Sequence, residues 1–159
     1  MLFRSRVCGT APTLLDLAGA APCRKPGECR VMDGRSLMPL LRGHGAGWPG
    51  NRGMLLELAQ QSKQGGLPCE FQAIRTPART YAEYPFVRRR TGGNCIASNE
   101  AELYDLGDDP FELDNLLFGN PPPRVEAERA QMRHRLNALR DCAGIAGRDP
   151  LPPSGHYCE

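Results

Sequence analysis

The chain has 159 residues, including 18 Gly and 15 Pro. This length suits one domain with a modest hydrophobic core, and the frequent Gly and Pro predict a loop-rich fold. The 20 Lys and Arg nearly balance the 18 Asp and Glu, for a net charge of +2. Nothing in this balance indicates the basic face of a nucleic-acid-binding protein, and no stretch approaches the roughly 18 apolar residues of a membrane span.

Two short helices are predicted near the amino terminus. The first can end at Gly19, because glycine tolerates the left-handed conformation that commonly follows a helix. Its apolar face would consist of Leu14, Leu15, Leu17 and Ala18. The second helix would be capped by Ser36, would hold Pro39 in its first turn and would be followed by Gly43.

The first twenty residues leave two interpretations open. Residues 1–6 and the partly apolar stretch up to Ala18-Gly19-Ala20 superficially resemble a signal peptide with a small-residue cleavage site. Pro12 and Asp16 interrupt that apolar region, however, and favour an amphipathic helix instead. The sequence therefore contains no convincing signal peptide.

A small antiparallel sheet of about four strands is predicted for the middle of the chain. Residues 54–58 are almost entirely apolar, which is typical of a strand covered on both faces. Residues 71–76 and 80–86 mix apolar and polar positions, as half-exposed strands do, and Thr76-Pro-Ala-Arg79 supplies the turn between them. Residues 102–106 would form the fourth strand.

A long amphipathic helix is predicted over residues 124–142, where apolar residues recur at helical spacing opposite Arg and Glu. These apolar residues are Val125, Met132, Leu136, Leu139 and Ala143. Pro121–Pro123 separates the helix from what precedes it, Gly144 ends it, and the following residues are predicted to be irregular. The fold class is therefore α+β: a small antiparallel sheet packed against a long carboxyl-terminal helix, with short helices near the amino terminus.

Seven cysteines favour disulfides and an oxidising compartment. None shows C-x-x-C spacing, and the three histidines are scattered, so a zinc site is disfavoured. Three pairs are plausible because their members bracket the predicted hairpin, the tail and a Pro-Gly pair: Cys69 with Cys95, Cys142 with Cys158, and Cys23 with Cys29. The sequence alone does not establish the pairing, and one cysteine is left without a partner.

Residues 102–117 carry the most specific pattern in the chain. Glu102-Leu-Tyr-Asp-Leu106 suits the end of a strand, which the following Gly, Asp and Pro residues break. A helical turn is expected next, with Asp109 as N-cap, Pro110 in the first helical position and Glu112 as the capping-box carboxylate. One face of this turn would consist of Leu113, Leu116 and Leu117.

The same segment is similar to the closing signature of the type I, formylglycine-dependent sulfatases, E-L-Y-D-L-x-x-D-P-x-E-x-x-N-L. The match runs from Glu102 to Leu116 at matching spacing. Three further pieces stand in the order in which this family would place them: residues 11–19, residues 33–43, and residues 73–77 with Tyr81 and Tyr84. The resemblance covers most of residues 11–142 and is to N-acetylglucosamine-6-sulfatase and arylsulfatase-like enzymes.

The resemblance implies three parts in the chain. Residues 1–10 do not follow the family pattern, because Gly9 stands where the family usually has Asp. Residues 11–143 correspond to a carboxyl-terminal sulfatase subdomain, and residues 144–159 form an irregular tail. The resemblance and the cysteine count together imply an extracellular or lysosomal-type location. The implied partner is an amino-terminal catalytic domain, which the matched region does not include.

The resembled family relies on calcium and on a formylglycine made from a C/S-x-P-x-R motif, whose hydrated aldehyde supplies the nucleophile. No Cys or Ser of this chain is followed by the required Pro and Arg; the Pro that follows Cys23 or Ser36 stands one place too late. The family's calcium ligands and sulfate-binding Lys and His lie upstream of the matched region. No residue here is therefore assigned a catalytic, cofactor-binding or metal-binding role, and the chain is expected to be inactive alone.

Other candidate residues have simpler explanations. The acidic residues Asp105, Asp108, Asp109, Glu112 and Asp114 are explained by caps and turns rather than by a site. His44 suits a solvated loop, His134 the exposed side of its helix, and packing explains Arg75, Tyr81 and Tyr84.

A second function class remains open, in which the chain is a non-enzymatic, disulfide-stapled module that binds sulfated glycans. Arg88-Arg89-Arg90, the densest basic run, would carry that contact, although a solvated hairpin tip is the simpler explanation of the run.

Overall fold

A four-stranded antiparallel sheet and a long carboxyl-terminal helix are the main elements of the structure, a computed structural model that describes residues 9–23, 25, 27–43, 45, 50–58, 69–88 and 95–158. The elements are α1 Thr10–Leu17, α2 Met38–Leu41, β1 Met54–Leu58, β2 Glu70–Arg75, β3 Arg79–Arg88, β4 Cys95–Asp105 and α3 Pro123–Arg140. The strands lie in the order β1-β2-β3-β4. The predicted α+β class is confirmed.

The turn between β2 and β3 lies where the sequence predicts it. The Thr76 N–H donates to the Arg79 carbonyl at 2.8 Å, and the Thr76 hydroxyl accepts the Arg79 N–H at 2.9 Å. The fourth strand begins earlier than predicted, at Cys95 rather than Glu102. Residues 95–101 have little intrinsic preference for a strand, but pairing with the long β3, as between Ala97 and Phe86, supplies what local propensity lacks.

The sheet has two different faces. One row of side chains runs directly across all four strands and is buried: Leu55, Ile74, Tyr81 and Leu103. This face, here called the helix face, lies against α3. Two contacts show this: Arg79 pairs with Glu128, and Tyr81 hydrogen-bonds to Arg129. The same side of α3 buries Val125, Met132 and Leu136, as its spacing predicts, while His134 is exposed.

The opposite side of the sheet, the loop face, is less apolar. Small buried side chains occupy its centre, namely Ala73, Thr80 and Ala82. At one edge, β1 does not have both faces covered as its apolar composition predicted: Leu55 is buried on the helix face, but Met54 and Leu56 are exposed on the loop face. A strand at the edge of an antiparallel sheet can leave one side open in this way.

A first compact unit contains the sheet and α3 up to Asn137, and a second contains the amino-terminal helices and the tail. In the second unit Gly19 and Gly43 have positive φ, as predicted for residues that follow helices. The N-cap of α2 is Leu37 rather than Ser36, although the Ser36 hydroxyl accepts the Met38 N–H at 3.1 Å. No helix among the described residues is long and apolar enough to cross a membrane.

The tail is irregular, as predicted, and Arg148 and Asp149 fix its course. Arg148 donates to the carbonyls of Met32 and Gly34, and the Asp149 carboxylate accepts the Ile145 N–H at 2.8 Å. The hydrogen bond from Arg148, and further that from the Ile145 backbone, hold the pKa of Asp149 below its usual value. The tail is thus held by polar contacts as well as by its disulfide.

All three plausible disulfides are present: Cys23–Cys29, Cys69–Cys95 and Cys142–Cys158. The Cys69–Cys95 bond joins the beginning of β2 to the beginning of β4, two strands that are not neighbours in the sheet. Cys8 lies outside the described residues. Such bonds persist in oxidising compartments, which supports the predicted extracellular type of location.

Candidate functional site

Residues 106–120, here called the motif loop, form a series of turns and contain no helix. The predicted helical turn is therefore wrong. Asp109 does accept a backbone N–H, but that of Asp114 at 2.8 Å, five residues on, instead of one in a first helical turn. Glu112 has a φ of 57°, a left-handed conformation that a helix cannot include. Leu113, expected on a shared apolar face, is exposed.

The Glu112 side chain explains why its backbone is held in this conformation. Instead of reaching back to a cap, its carboxylate pairs with the Arg75 guanidinium and accepts the Thr80 hydroxyl at 2.9 Å. Arg75 also donates to the Thr80 hydroxyl at 3.0 Å, which closes a three-membered network on the loop face. Charge-assisted hydrogen bonds of this kind offset the roughly 1–2 kcal/mol that a left-handed L-residue costs.

Asn115 fastens the second half of the motif loop to β4. Its side-chain oxygen accepts the N–H of Leu103 at 3.1 Å and of Leu117 at 3.0 Å, and its side-chain nitrogen donates to the Ala101 carbonyl at 3.3 Å. The Leu116 N–H donates to the Leu103 carbonyl at 2.9 Å. Because β4 lies at an edge of the sheet, the loop supplies hydrogen-bond partners that this edge would otherwise lack.

Glu102 links two tyrosines on the loop face. Its carboxylate accepts the Tyr84 hydroxyl at 2.7 Å and a hydrogen bond from Tyr104. Burial raises the pKa of both phenols, and the negative charge and hydrogen bonding of Glu102 raise each further. Both phenols are therefore neutral at physiological pH and are not prepared to act as a base or a nucleophile.

Asp105 and Glu112, two of the acidic residues around the motif loop, form ion pairs with arginines of the sheet. Asp105 pairs with Arg79 at 2.6 Å and accepts the Gly107 N–H at 3.0 Å, while Glu112 is held by Arg75. Across the described ranges, no three His, Cys, Asp or Glu side chains are grouped to hold a metal ion. The calcium of the resembled family, which needs several converging oxygen ligands, does not fit these described residues.

Three large apolar side chains of the motif loop are exposed, whereas Leu106, Leu116 and Leu117 are half-buried. Phe111 is 80% exposed, Leu113 79% and Phe118 89%. The loop thus directs Asp109, Glu112 and Asn115 into hydrogen bonds that hold its shape and leaves its largest apolar groups in solvent. This is unusual, because burial of apolar area is favourable and large apolar side chains are therefore more often buried than left in solvent.

The other candidate residues are distributed as follows. Packing and pairing on the sheet are confirmed for Tyr81 and Tyr84, and Arg75 has the further role of holding Glu112. The side chains of Arg88-Arg89-Arg90, together with His44, lie outside what the structure describes. The roles of Glu102, Glu112 and Asn115 were missed, although all three are fixed positions of the signature, which was the available signal.

The fold of this chain is similar to a segment of solved sulfatase structures. At 26% identity the chain is similar to BT1596, a 2-O GAG sulfatase, with a TM-score of 0.55 over 81% of this chain and 23% of that one. A Bacteroides thetaiotaomicron protein assigned as a sulfatase matches at 26% identity and a TM-score of 0.56, with the same coverage. The fold is shared with BT4656, solved with its substrate D-glucosamine-2-N,6-O-disulfate, at 22% identity and a TM-score of 0.55.

The chain spans less than a quarter of the length of these structures, at 22% to 23%. No family model matches the chain, and no curated protein matches it. The chain therefore resembles the carboxyl-terminal subdomain of sulfatases, as residues 102–116 indicate, and the resemblance is confirmed by solved structures.

Proposed function

We propose that the chain serves as the carboxyl-terminal, non-catalytic subdomain of a sulfuric ester hydrolase that acts on sulfated sugars. The main observation that supports this proposal is the similarity to BT1596, at 26% identity over 81% of the chain. The contacts of the signature residues support it, since Asp109, Glu112 and Asn115 hold the motif loop in shape. The substrate class rests on the 2-O GAG sulfatase and on the disulfated glucosamine bound by BT4656.

The first test of this proposal is an assay of the purified chain alone. Sulfate release is measured from 4-nitrophenyl sulfate and from a 2-O-sulfated disaccharide, with BT1596 as the positive control. The expected result is no turnover, because the chain lacks a C/S-x-P-x-R motif and no described residues form a calcium site. Reproducible hydrolysis that survives repurification would overturn the expectation that the chain is inactive alone.

A second test asks whether the chain can do the work of a sulfatase subdomain. The segment of BT1596 that matches this chain is deleted, and the whole chain is fused in its place. The shortened enzyme should be insoluble or inactive, and the chimera should recover soluble protein and 2-O-desulfation. A chimera that behaves like the shortened enzyme would count against the proposal.

The alternative function is a free-standing module that binds sulfated glycans. The three disulfides favour it, because they staple both compact units without any partner. Salt-sensitive retention of the chain on heparin, abolished by R88S/R89S/R90S, is the result that would support this function. Flow-through at low salt would eliminate it.

A further inference from the structure

The motif loop is held in one shape by the chain itself. Asp109, Glu112 and Asn115 make the side-chain hydrogen bonds described above, to β2, β3, β4 and the loop backbone. None of these contacts involves the exposed side chains of Phe111, Leu113 or Phe118. The loop is therefore formed before any partner arrives, which lowers the entropy cost of binding.

The exposed side chains of Phe111, Leu113 and Phe118, here called the anchors, are the groups of this loop that could bury the most apolar area against a partner. Phe111 and Leu113 stand on either side of Glu112, and Phe118 follows Asn115 by three residues. Met54, also exposed, lies directly across from Arg75, the partner of Glu112. Rigid aromatic and aliphatic anchors that leave water on binding contribute most of the energy of protein interfaces.

The charge of the motif loop limits what can cover these anchors. Residues 106–120 contain Asp108, Asp109, Glu112 and Asp114 but no Lys or Arg. Asp108 and Asp114 are exposed; in the sequence Asp114 directly follows Leu113, and Asp108 precedes Phe111 by three residues. A lipid surface with anionic headgroups or a sulfated glycan would be repelled, whereas a protein surface with a basic rim around an apolar hollow would be complementary.

We infer that the motif loop is a preformed docking element whose partner is the catalytic part of a sulfatase. Phe111, Leu113 and Phe118 enter an apolar hollow on that part, and Lys or Arg residues around the hollow face Asp108 and Asp114. The inference rests on the proposed function. The length comparison supports this choice of partner. In each of the three similar structures, the part that this chain does not match makes up more than three quarters of the same polypeptide.

The test uses the chimera of BT1596 with the whole chain, in four versions. These are the unchanged chain, F111S/L113S/F118S, D108N/D114N, and the matched control L17S/L41S/L151S, which alters three similarly exposed leucines outside the loop. We expect F111S/L113S/F118S to lower soluble yield and 2-O-desulfation at least tenfold, and the control to lower neither. D108N/D114N should cause a smaller loss that disappears at high salt.

The outcomes separate the inference from the proposed function. If the unchanged chimera is inactive, the proposed function fails, and the inference fails with it. If the unchanged chimera and F111S/L113S/F118S are equally active, only the docking inference is overturned. Equal losses in the control and in F111S/L113S/F118S would show a general effect of exposed apolar groups, and would also overturn the inference.

Two measurements on the isolated chain exclude other occupants. F111S/L113S/F118S should leave the Tm within about 2 °C of the unchanged chain, because exposed substitutions away from special features change stability little. A loss of several degrees would show that the loop packs on its own chain. Sedimentation should give a monomer; a dimer that the triple variant dissociates would assign the loop to a second copy and overturn the inference.

Discussion

The helix face and the loop face of the sheet are built on different principles. On the helix face Leu55, Ile74, Tyr81 and Leu103 form one continuous buried row against α3. On the loop face small residues are buried, and the stabilising contacts are polar, as in the Arg75–Glu112–Thr80 network. The first face is completed within the chain by apolar packing, whereas the second holds its shape by hydrogen bonds while apolar groups stay exposed.

The difference separates what makes the unit stable from what prepares it for a partner. Apolar burial contributes most of the free energy of folding, so changes on the helix face should have the largest effects. Polar contacts of the motif loop set a conformation and contribute less. The exposed residues should contribute almost nothing to the stability of the isolated chain.

The largest effect is expected for L136A. Leu136 is fully buried on α3, so its truncation should lower the free energy of unfolding by about 2–5 kcal/mol. The matched change L113A, on the exposed motif loop, should stay within about 0.5 kcal/mol. Urea unfolding followed by far-UV circular dichroism measures both. A comparable loss in L113A would remove the distinction between the two faces.

Alkaline pH should weaken the helix face through Tyr81. Burial, and then its hydrogen bond to Glu83, raise the pKa of the Tyr81 phenol from 10.0 to about 12. Because the folded state holds this proton more tightly, the stabilisation is complete below the unfolded value and is lost between pH about 10 and about 12. A shift of this size corresponds to about 2–3 kcal/mol.

The control for this pH effect is Y81F, which lacks the phenol but keeps the ring. The unchanged chain should lose more stability than Y81F when urea unfolding is repeated from pH 9 to pH 12. Parallel pH profiles for the two proteins would show that Tyr81 does not contribute.

The loop face is probed by Glu112, where the side chain and the backbone act in opposite directions. E112A leaves the left-handed φ unchanged and removes the charge-assisted contacts of the carboxylate, and the loss of these contacts should cost about 2 kcal/mol. E112G also removes the carboxylate but relieves the backbone strain, so it should be about 1 kcal/mol more stable than E112A. If both variants were equally stable, the positive φ of Glu112 would cost nothing.

A smaller effect is expected from N115A, which removes the clamp between the motif loop and β4. Loss of its hydrogen bonds should cost about 1 kcal/mol and accelerate amide exchange at Leu103 and Leu117. N120A, an exposed asparagine of the same loop, is the control and should change neither quantity. Unchanged exchange in N115A would mean that backbone hydrogen bonds alone hold the loop.

The regular elements followed from the sequence because their causes are local. The helical spacing of Val125, Met132 and Leu136 predicted α3, and the Thr76–Arg79 turn predicted the β2–β3 hairpin. The bracketing cysteines made three disulfides plausible without establishing the pairing. The motif loop could not be predicted, because the conformation of Glu112 depends on Arg75 and Thr80, more than thirty residues away in the chain. The signature located the candidate site, but only long-range contacts reveal what its residues do.

The Cys69–Cys95 bond makes a covalent ring from the segment that includes all of β2 and all of β3. A protease that cut the backbone anywhere between these two cysteines would produce two polypeptides that stay joined. The nicked protein would migrate as one band before reduction and as two after it. Limited digestion of this region can therefore break the backbone while the strands of the sheet remain attached to one another.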